Sequence, residues 1–287
     1  MNPNLEHEAM IKFSDQATPQ GDVFITGGSG RIGTALRQRL NANGYTVRFT
    51  DILPPLDGDA AGFTRTDLAD QDAMYEAMRG CRALIHCAGH PRETDWPTIQ
   101  ALNYTGTYNA LAAARRAGVR TIVYASSNHY CGLYPADTEL SPALAPRPTG
   151  LYGASKVFGE ALLRAEAEAF GIIAFAWRIC CFKPEPVNAR DLRLWLSLDD
   201  SALMVDRCLR WSEPGFNLIW GVSNNQRLRI DDPVARRIGY QPRDNAEHYL
   251  AQLKAAGVNT EQISEWPYLG GEKAMAWMSQ GRDPEAP

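Results

Sequence analysis

From position 22 to position 179 the chain alternates short apolar runs with stretches whose apolar positions recur at helical spacing. DVFIT (22–26) reads as a strand, a glycine-rich turn follows, and 31–43 reads as a helix stopped by Gly44. TVRFT (46–50) is a second strand, 63–66 a weak third, and 71–78 a helix. ALIHC (83–87) is a strong strand, 98–117 a long helix ended by Gly118, and TIVYAS (121–126) another strand. A proline-rich loop runs to Thr149, then a helix over 151–170 stopped by Gly171, then a strand over 172–179.

Strands alternating with helices, several apolar on both faces, predict a parallel sheet covered on both sides. Right-handed crossovers make that α/β fold doubly wound. Beyond Cys180 the rhythm loosens. Elements near 198–209, 217–220 and 246–255 read as a small substrate lid over the carboxyl edge of the sheet. The expected division is a flexible leader over 1–20, the sheet domain over 21–179, and a small substrate-binding region with a tail over 180–287, interwoven with the main domain.

With 287 residues the chain has room for one large α/β domain, and its 45% hydrophobic residues suffice for the core. The net charge of -4 gives no support to partners such as nucleic acid or an anionic membrane. Six cysteines form neither a Cys-x-x-Cys pair nor a zinc-spaced cluster, so no metal is expected and the thiols read as reduced, in a cytoplasmic protein. No apolar segment suits a signal peptide or a membrane span.

The chemistry begins at Thr26-Gly27-Gly28-Ser29-Gly30-Arg31-Ile32-Gly33, between the first strand and the first helix. Glycines there permit a tight turn, close approach of backbone to a pyrophosphate, and packing of helix on strand. The helix amino terminus then offers N–H groups to phosphate. This makes the sheet Rossmann-type and Gly27, Gly30, Arg31, Ile32 and Gly33 cofactor-binding residues. Asp51 follows the second strand, where a carboxylate accepts hydrogen bonds from the adenosine ribose hydroxyls and repels a 2′-phosphate, so the cofactor reads as NAD. Arg31 and Arg48 keep NADP as the minority option. Asp67-Leu68 after the third strand suits the adenine side, with Asp67 equally suited to cap the helix that follows.

Tyr152 and Lys156 stand four residues apart near the start of a helix, on one face and one turn apart. A free phenol, with a pKa near 10, is a poor base at neutral pH, and a neighbouring ammonium favours its phenolate. Tyr152 could then take a hydroxyl proton while hydride leaves the same carbon. Ser126-Ser127 ends a preceding strand, where doubly wound sheets bind ligands.

These motifs, with His86-Cys87-Ala88-Gly89, resemble in order and spacing the extended short-chain dehydrogenases of the NAD-dependent epimerase/dehydratase family. ASSNH (125–129), RPTGLYGASKVFGE (147–160), KPEPVNAR (183–190) and WLSLDD (195–200) look most like its uronate dehydrogenases, which oxidise the anomeric carbon of galacturonate or glucuronate with NAD to an aldarolactone. The resemblance implies that Ser127 bonds the reacting hydroxyl, Tyr152 is the base, and Lys156 lowers the Tyr152 pKa and holds the nicotinamide ribose. It makes Ala88 a cofactor contact, gives Asn128 and His129 to sugar hydroxyls, and gives Arg190 to the substrate carboxylate, which a guanidinium fork suits. Taken alone, Arg190 would read as a surface ion pair and His129 equally as a structural histidine; His86, inside a strand, reads as structural.

Two departures stand out. Pro91 occupies the place of a substrate-binding serine, so one contact is missing or replaced by His90 or Arg92, and Cys180-Cys181-Phe182 replaces a smaller, more polar stretch. The loop over 88–93 looks closer to archaeal NAD-dependent glucose-6-phosphate dehydrogenases of the same family. An aldose or glucose-6-phosphate 1-dehydrogenase, or an epimerase, are therefore the alternatives; a regulatory NAD-binding protein is disfavoured by the intact Tyr/Lys pair. In the family the long helices often pair across a dimer, so a homo-oligomer is expected.

Overall fold

The computed structural model describes residue 13 and residues 19–280. Its strands, in chain order, are β1 (Asp22–Thr26), β2 (Val47–Asp51), β3 (Phe63–Arg65), β4 (Cys81–His86), β5 (Thr121–Ser127), β6 (Ile173–Ile179), β7 (Cys181–Phe182), β8 (Trp195–Leu196) and β9 (Gly215–Gly221). Seven form one parallel sheet in the order β3-β2-β1-β4-β5-β6-β9. β7 and β8 pair separately.

Two apolar layers sandwich the sheet, as a parallel sheet requires. On one face α1 (Arg31–Ala42) packs Leu36 and Leu40 against Val23 and Ile25 of β1. The other face is covered by α2 (Gln71–Met78), α4 (Gly106–Arg116) and α5 (Gly150–Phe170), through Met74, Leu111 and Leu163 among others, with α3 (Trp96–Ile99) packed on α5. The sequence places the direction of winding at β1, which has β2 on one side and β4 on the other. The crevice at the carboxyl ends of these strands is where such sheets take ligands.

Two expectations change. The 98–117 helix starts earlier, at Trp96 with Asp95 as its cap, and passes through a π-helical stretch (Gln100–Thr105) before α4. That irregular turn directs the buried Asn103 onto the His90 backbone and Ser155. The second change concerns the lid. α6 (Asp191–Leu194) is followed by α7 (Leu198–Arg210), which packs on α1 and contributes Leu203, Met204 and Val205 to the core; β9 is the seventh strand of the main sheet. Neither belongs over the carboxyl edge. Their apolar positions match a sheet-facing helix and a buried strand, which loose spacing in the sequence had obscured. From this region the site is walled by β7 with its neighbours Cys180 and Lys183, by Asn188 and Arg190 ahead of α6, and by Trp266, Gly270 and the start of α10 (Glu272–Gln280); α8 (Pro233–Arg237) and α9 (Leu250–Ala255) lie between them in the chain, the latter preceded by a 3-10 turn at Ala246–Tyr249.

Of the leader over 1–20, residues 1–12 and 14–18 lie outside the described residues. Phe13 is buried in the core layer with α1 and α7; its N–H donates to Asn43 Oδ1 (2.9 Å) and its carbonyl accepts from Arg207 (2.8 Å). Among the described residues no helix is long and apolar enough to cross a membrane.

Candidate active site

The glycine turn is built for close backbone approach. Gly27 has φ +70°, and a Cβ there would stand 2.8 Å from the Ala88 nitrogen. A Cβ on Gly33 would stand 2.3 Å from the Gly27 oxygen, and one on Gly28 2.4 Å from the Phe49 ring. Gly27 therefore makes the turn, while Gly28 and Gly33 let strand and helix close on each other. Gly30 caps α1 with no side chain over the helix end. The positive end of α1 thus opens into a groove of about 320 Å³ lined by Gly27, Gly30, Arg31, Ile32, Gly33, Asp51, Asp67, Leu68 and Ala88. Nine of the eleven residues the sequence assigns to the cofactor meet there, and the other two, Tyr152 and Lys156, line the cavity beside it. Two buried hydroxyls on the same wall, Thr50 Oγ1 and Thr66 Oγ1, have no hydrogen-bond partner among the described residues. A glycine cradle, an uncapped helix end and a carboxylate together fit a dinucleotide.

Asp51 accepts from Ser29 N (3.1 Å) and Ile52 N (2.8 Å), which fixes its carboxylate at the end of β2. The arginines nearby do not serve a 2′-phosphate. Arg48 donates to the Ala77 and Arg79 carbonyls at the end of α2, and the buried Arg37 is held by Gly28 O, Asp57 and Asp59. Arg31 reaches past the groove toward the Phe182 carbonyl (3.4 Å). Asp67 is not the cap of α2. Asp70 is, accepting from Ala73 N.

Tyr152 and Lys156 lie on α5 beside the end of β5. Lys156 Nζ donates to Ala125 O (2.9 Å) and stands 5.5 Å from the Tyr152 ring centre. Burial pulls its pKa down to about 8, against the opposing influence of Cys87 and Glu160. Burial also pushes the Tyr152 phenol up, with Ser127 pulling the other way. Ser127 Oγ accepts from His129 N (3.2 Å) and donates to Asn128 Oδ1 (3.4 Å). Beneath them Glu160 takes both prongs of Arg178 (2.9 Å each) and the Ser126 hydroxyl (2.6 Å), a buried and hydrogen-bonded ion pair. His86 is structural: its ring bonds Thr26 Oγ1 (2.7 Å) and Thr107 Oγ1 (3.3 Å).

Next to this centre, and sharing Arg31, Ile32, Cys87, Gly89 and Pro91 with the groove, is a second cavity of about 380 Å³. Ser127, Asn128, His129, Tyr152, Lys156, His90 and Arg190 line it. Asn128 Nδ2 and His129 Nδ1 are buried without a partner among the described residues. Burial, then Lys273 and Arg190, hold His129 well below the usual histidine range, so its imidazole is neutral. Arg190 is not a surface ion pair: its Nε and one Nη reach Leu269 O (2.9 and 2.7 Å), and its other Nη reaches Cys181 Sγ (2.7 Å). Arg92 does not line the cavity; it is exposed beside it. His90 stays in the wall, its N–H on Asn103 Oδ1 and its Nδ1 paired with the Arg92 carbonyl. All six cysteines are free.

Five contributors escaped sequence reasoning. Glu93 caps the start of α5, Asn103 ties the β4 loop to Ser155, and Lys273 with Trp266 and Glu272 brings the carboxyl-terminal segment into the cavity wall. Only Gly270-Gly271 before Glu272 hints at a helix start, and nothing in the local pattern of Glu93 or Asn103 marks them.

A dinucleotide groove that opens onto a Tyr/Lys/Ser centre defines an NAD-dependent oxidoreductase. The chain belongs to the NAD dependent epimerase/dehydratase family, whose pattern it matches over residues 23–186. It is 32% identical over 256 residues to a protein named uronate dehydrogenase from Pseudomonas syringae pv. tomato, covering 88% of this chain and 93% of that one. A uronate dehydrogenase from Agrobacterium fabrum is 37% identical over 232 residues, covering 80% and 88%. The crystal structure of uronate dehydrogenase from Agrobacterium tumefaciens superposes with a TM-score of 0.82 at 33% identity, covering 88% of this chain and 96% of that one.

Proposed function

We propose that the protein oxidises the anomeric carbon of a hexuronate, galacturonate or glucuronate, to the aldarolactone. The observation that carries this reading is the second cavity, where Tyr152, Ser127 and Lys156 share one wall system with cationic Arg190. NAD, when bound, accepts the hydride from the anomeric carbon. Tyr152 removes the proton of the anomeric hydroxyl, and Ser127 orients that hydroxyl. Lys156 bonds the nicotinamide ribose and favours the Tyr152 phenolate by its charge. The unpartnered Asn128 Nδ2 and the neutral His129 ring bond sugar hydroxyls, and Arg190, held by Leu269 O and Cys181 Sγ, offers its two remaining N–H groups to the carboxylate. Proline at 91 donates no bond, and Arg92 does not line the cavity, which leaves His90 to replace the missing contact.

The six free thiols suit the cytoplasm. Trp96 and Tyr108, half exposed on the face shared by α3 and α4, suit pairing of two copies there.

The test follows NADH absorbance with galacturonate, glucuronate, glucose and glucose-6-phosphate in parallel, with Tyr152→Phe as control. Turnover of the uronates that vanishes in the control is expected. Turnover confined to glucose or its phosphate would move the substrate, and no NADH from any sugar would sink the reading.

A further inference from the structure

We propose that Lys273 is a specificity residue, a second cation that reads the substrate's anionic group together with Arg190 and sets the preference for charged over neutral sugars. This rests on the sugar-acid reading above.

One turn holds both cations. Gly270 N donates to Gly132 O (2.8 Å) and Leu269 N to Tyr134 O (2.8 Å), which pins the segment before α10 to the loop after β5. Leu269 O is the acceptor for the Arg190 fork. Gly271, at φ +65°, reverses the chain, and a Cβ there would press on Arg190 at 3.1 Å. Two residues later Lys273 leaves α10 toward the β4 loop. Its Nζ donates to Pro91 O (3.1 Å), across the cavity mouth, and stands 5.3 Å from the Tyr152 ring centre. An ammonium has three donors, and Pro91 O takes one.

The charge around it is lopsided. Lys273 keeps solvent access at the cavity mouth, and desolvation of its ammonium, then the charges of Arg92, Arg190 and Arg31, pull its pKa down. Glu93 is the nearby carboxylate that favours the Lys273 charge, and both Glu93 oxygens are engaged by the N–H groups of α5. Glu272 also lines the wall but is exposed. A cluster of like charges at a cavity mouth destabilises itself until an anion enters, and a carboxylate or phosphate on a sugar supplies one. Three of the five Arg190 N–H groups are spent on Leu269 O and Cys181 Sγ, which leaves it two, and Lys273 adds two more beside the Tyr152 ring.

The experiment compares kcat/KM of the full chain, Lys273→Met and Lys273→Arg on galacturonate, glucuronate, glucose-6-phosphate, glucose and galactose. The expected result for Lys273→Met is a loss of about tenfold or more on the preferred anionic sugar, carried mainly by KM, with neutral sugars little changed and Lys273→Arg restoring most of it. A loss equal on charged and neutral sugars, carried by kcat, overturns the proposal, since Lys273 would then serve Tyr152. So does unchanged turnover of the anionic sugar. Preference of the unaltered protein for the sugar phosphate would sink the uronate reading alone, because Lys273 is still judged by the charged-to-neutral ratio. Preference for neutral sugars would overturn both.

Discussion

Glu93 grips the backbone of Tyr152: its two carboxylate oxygens accept the N–H groups of Leu151 (2.9 Å) and Tyr152 (3.1 Å). An acid reaching over from the β4 loop thereby satisfies two orphan donors and meets the positive end of α5. Losing such a cap costs about 1–2 kcal/mol, and misplacing a reacting group by about 1 Å costs on the order of a hundredfold in rate. Glu93→Ala is therefore expected to lower the denaturant midpoint and to lower kcat more than it raises KM, with Glu93→Gln milder in both. Urea unfolding and steady-state kinetics check this; a variant equal to the parent in both would show that α5 positions Tyr152 unaided.

Gly150 faces the same carboxylate. Its φ is +64°, and a Cβ there would stand 2.2 Å from Glu93 Oε2. Gly150→Ala combines backbone strain with eviction of the cap, a loss on the order of 1–3 kcal/mol. In a double-mutant cycle with Glu93→Ala the two losses should be clearly less than additive, because the first removes what the second would displace. Additive losses would mean that strain alone accounts for Gly150.

Asp51 should decide the cofactor. Its carboxylate lies in the groove wall, Arg37 and Arg48 are bound elsewhere, and Arg31, in the same wall, bonds the Phe182 carbonyl. Asp51→Ser is expected to raise the KM for NAD by about tenfold or more and to shrink the NAD-over-NADP ratio of kcat/KM. The measurement is that ratio, and a ratio unchanged by the substitution removes Asp51 from the discrimination.

The first half of the molecule was readable because its signals are local. A glycine turn between an apolar strand and a helix, Asp51 at a strand end, and Tyr152 four residues before Lys156 each carry their meaning within one element. The dinucleotide groove then assembled as expected. What escaped depends on distance in the chain: Lys273 meets Pro91 across 182 positions and Glu93 meets Tyr152 across 59. Which carbonyls the Arg48 side chain finds, those of Ala77 and Arg79, is likewise set by residues some thirty positions away. The lid was overdrawn for the same reason, since the pairing of β9 with β6 and the packing of α7 on α1 are long-range facts.

Lys156 Nζ stands 5.5 Å from the Tyr152 ring centre, and an ammonium beside a phenol favours its phenolate. The Lys156 pKa lies at about 8 in the free protein, so its ammonium is present below that and fades above it. Removing the charge withdraws support for the phenolate and drives Tyr152, already raised by burial, further up. Lys156→Met should lower kcat/KM at neutral pH by about a hundredfold or more and shift the rising limb of the pH–rate profile to higher pH. A uniform drop with an unshifted limb would show that Lys156 acts by holding the cofactor and not by charge.

His86 makes acid stability a further test. It is fully buried between Thr26 and Thr107, and burial, helped by the Lys156 charge, pulls its pKa down to about 3. An unfolded chain protonates the same histidine near pH 6.5, so between those values the unfolded state binds the extra proton. The stability contributed by neutral His86 is complete above about pH 6.5 and is lost progressively as the pH falls toward 3. Asp200 acts in the opposite sense: burial raises it to about 6, so acidification relieves its buried charge. The comparison must therefore be between the parent and His86→Gln, in which the contributions of Asp200 and His129 cancel. The parent is expected to lose about 2–3 kcal/mol more than the variant between neutral pH and about pH 4.5, measured as urea unfolding free energy. Parallel pH dependences for the two proteins would mean that His86 titrates in the folded state, contrary to its burial and its two threonine partners.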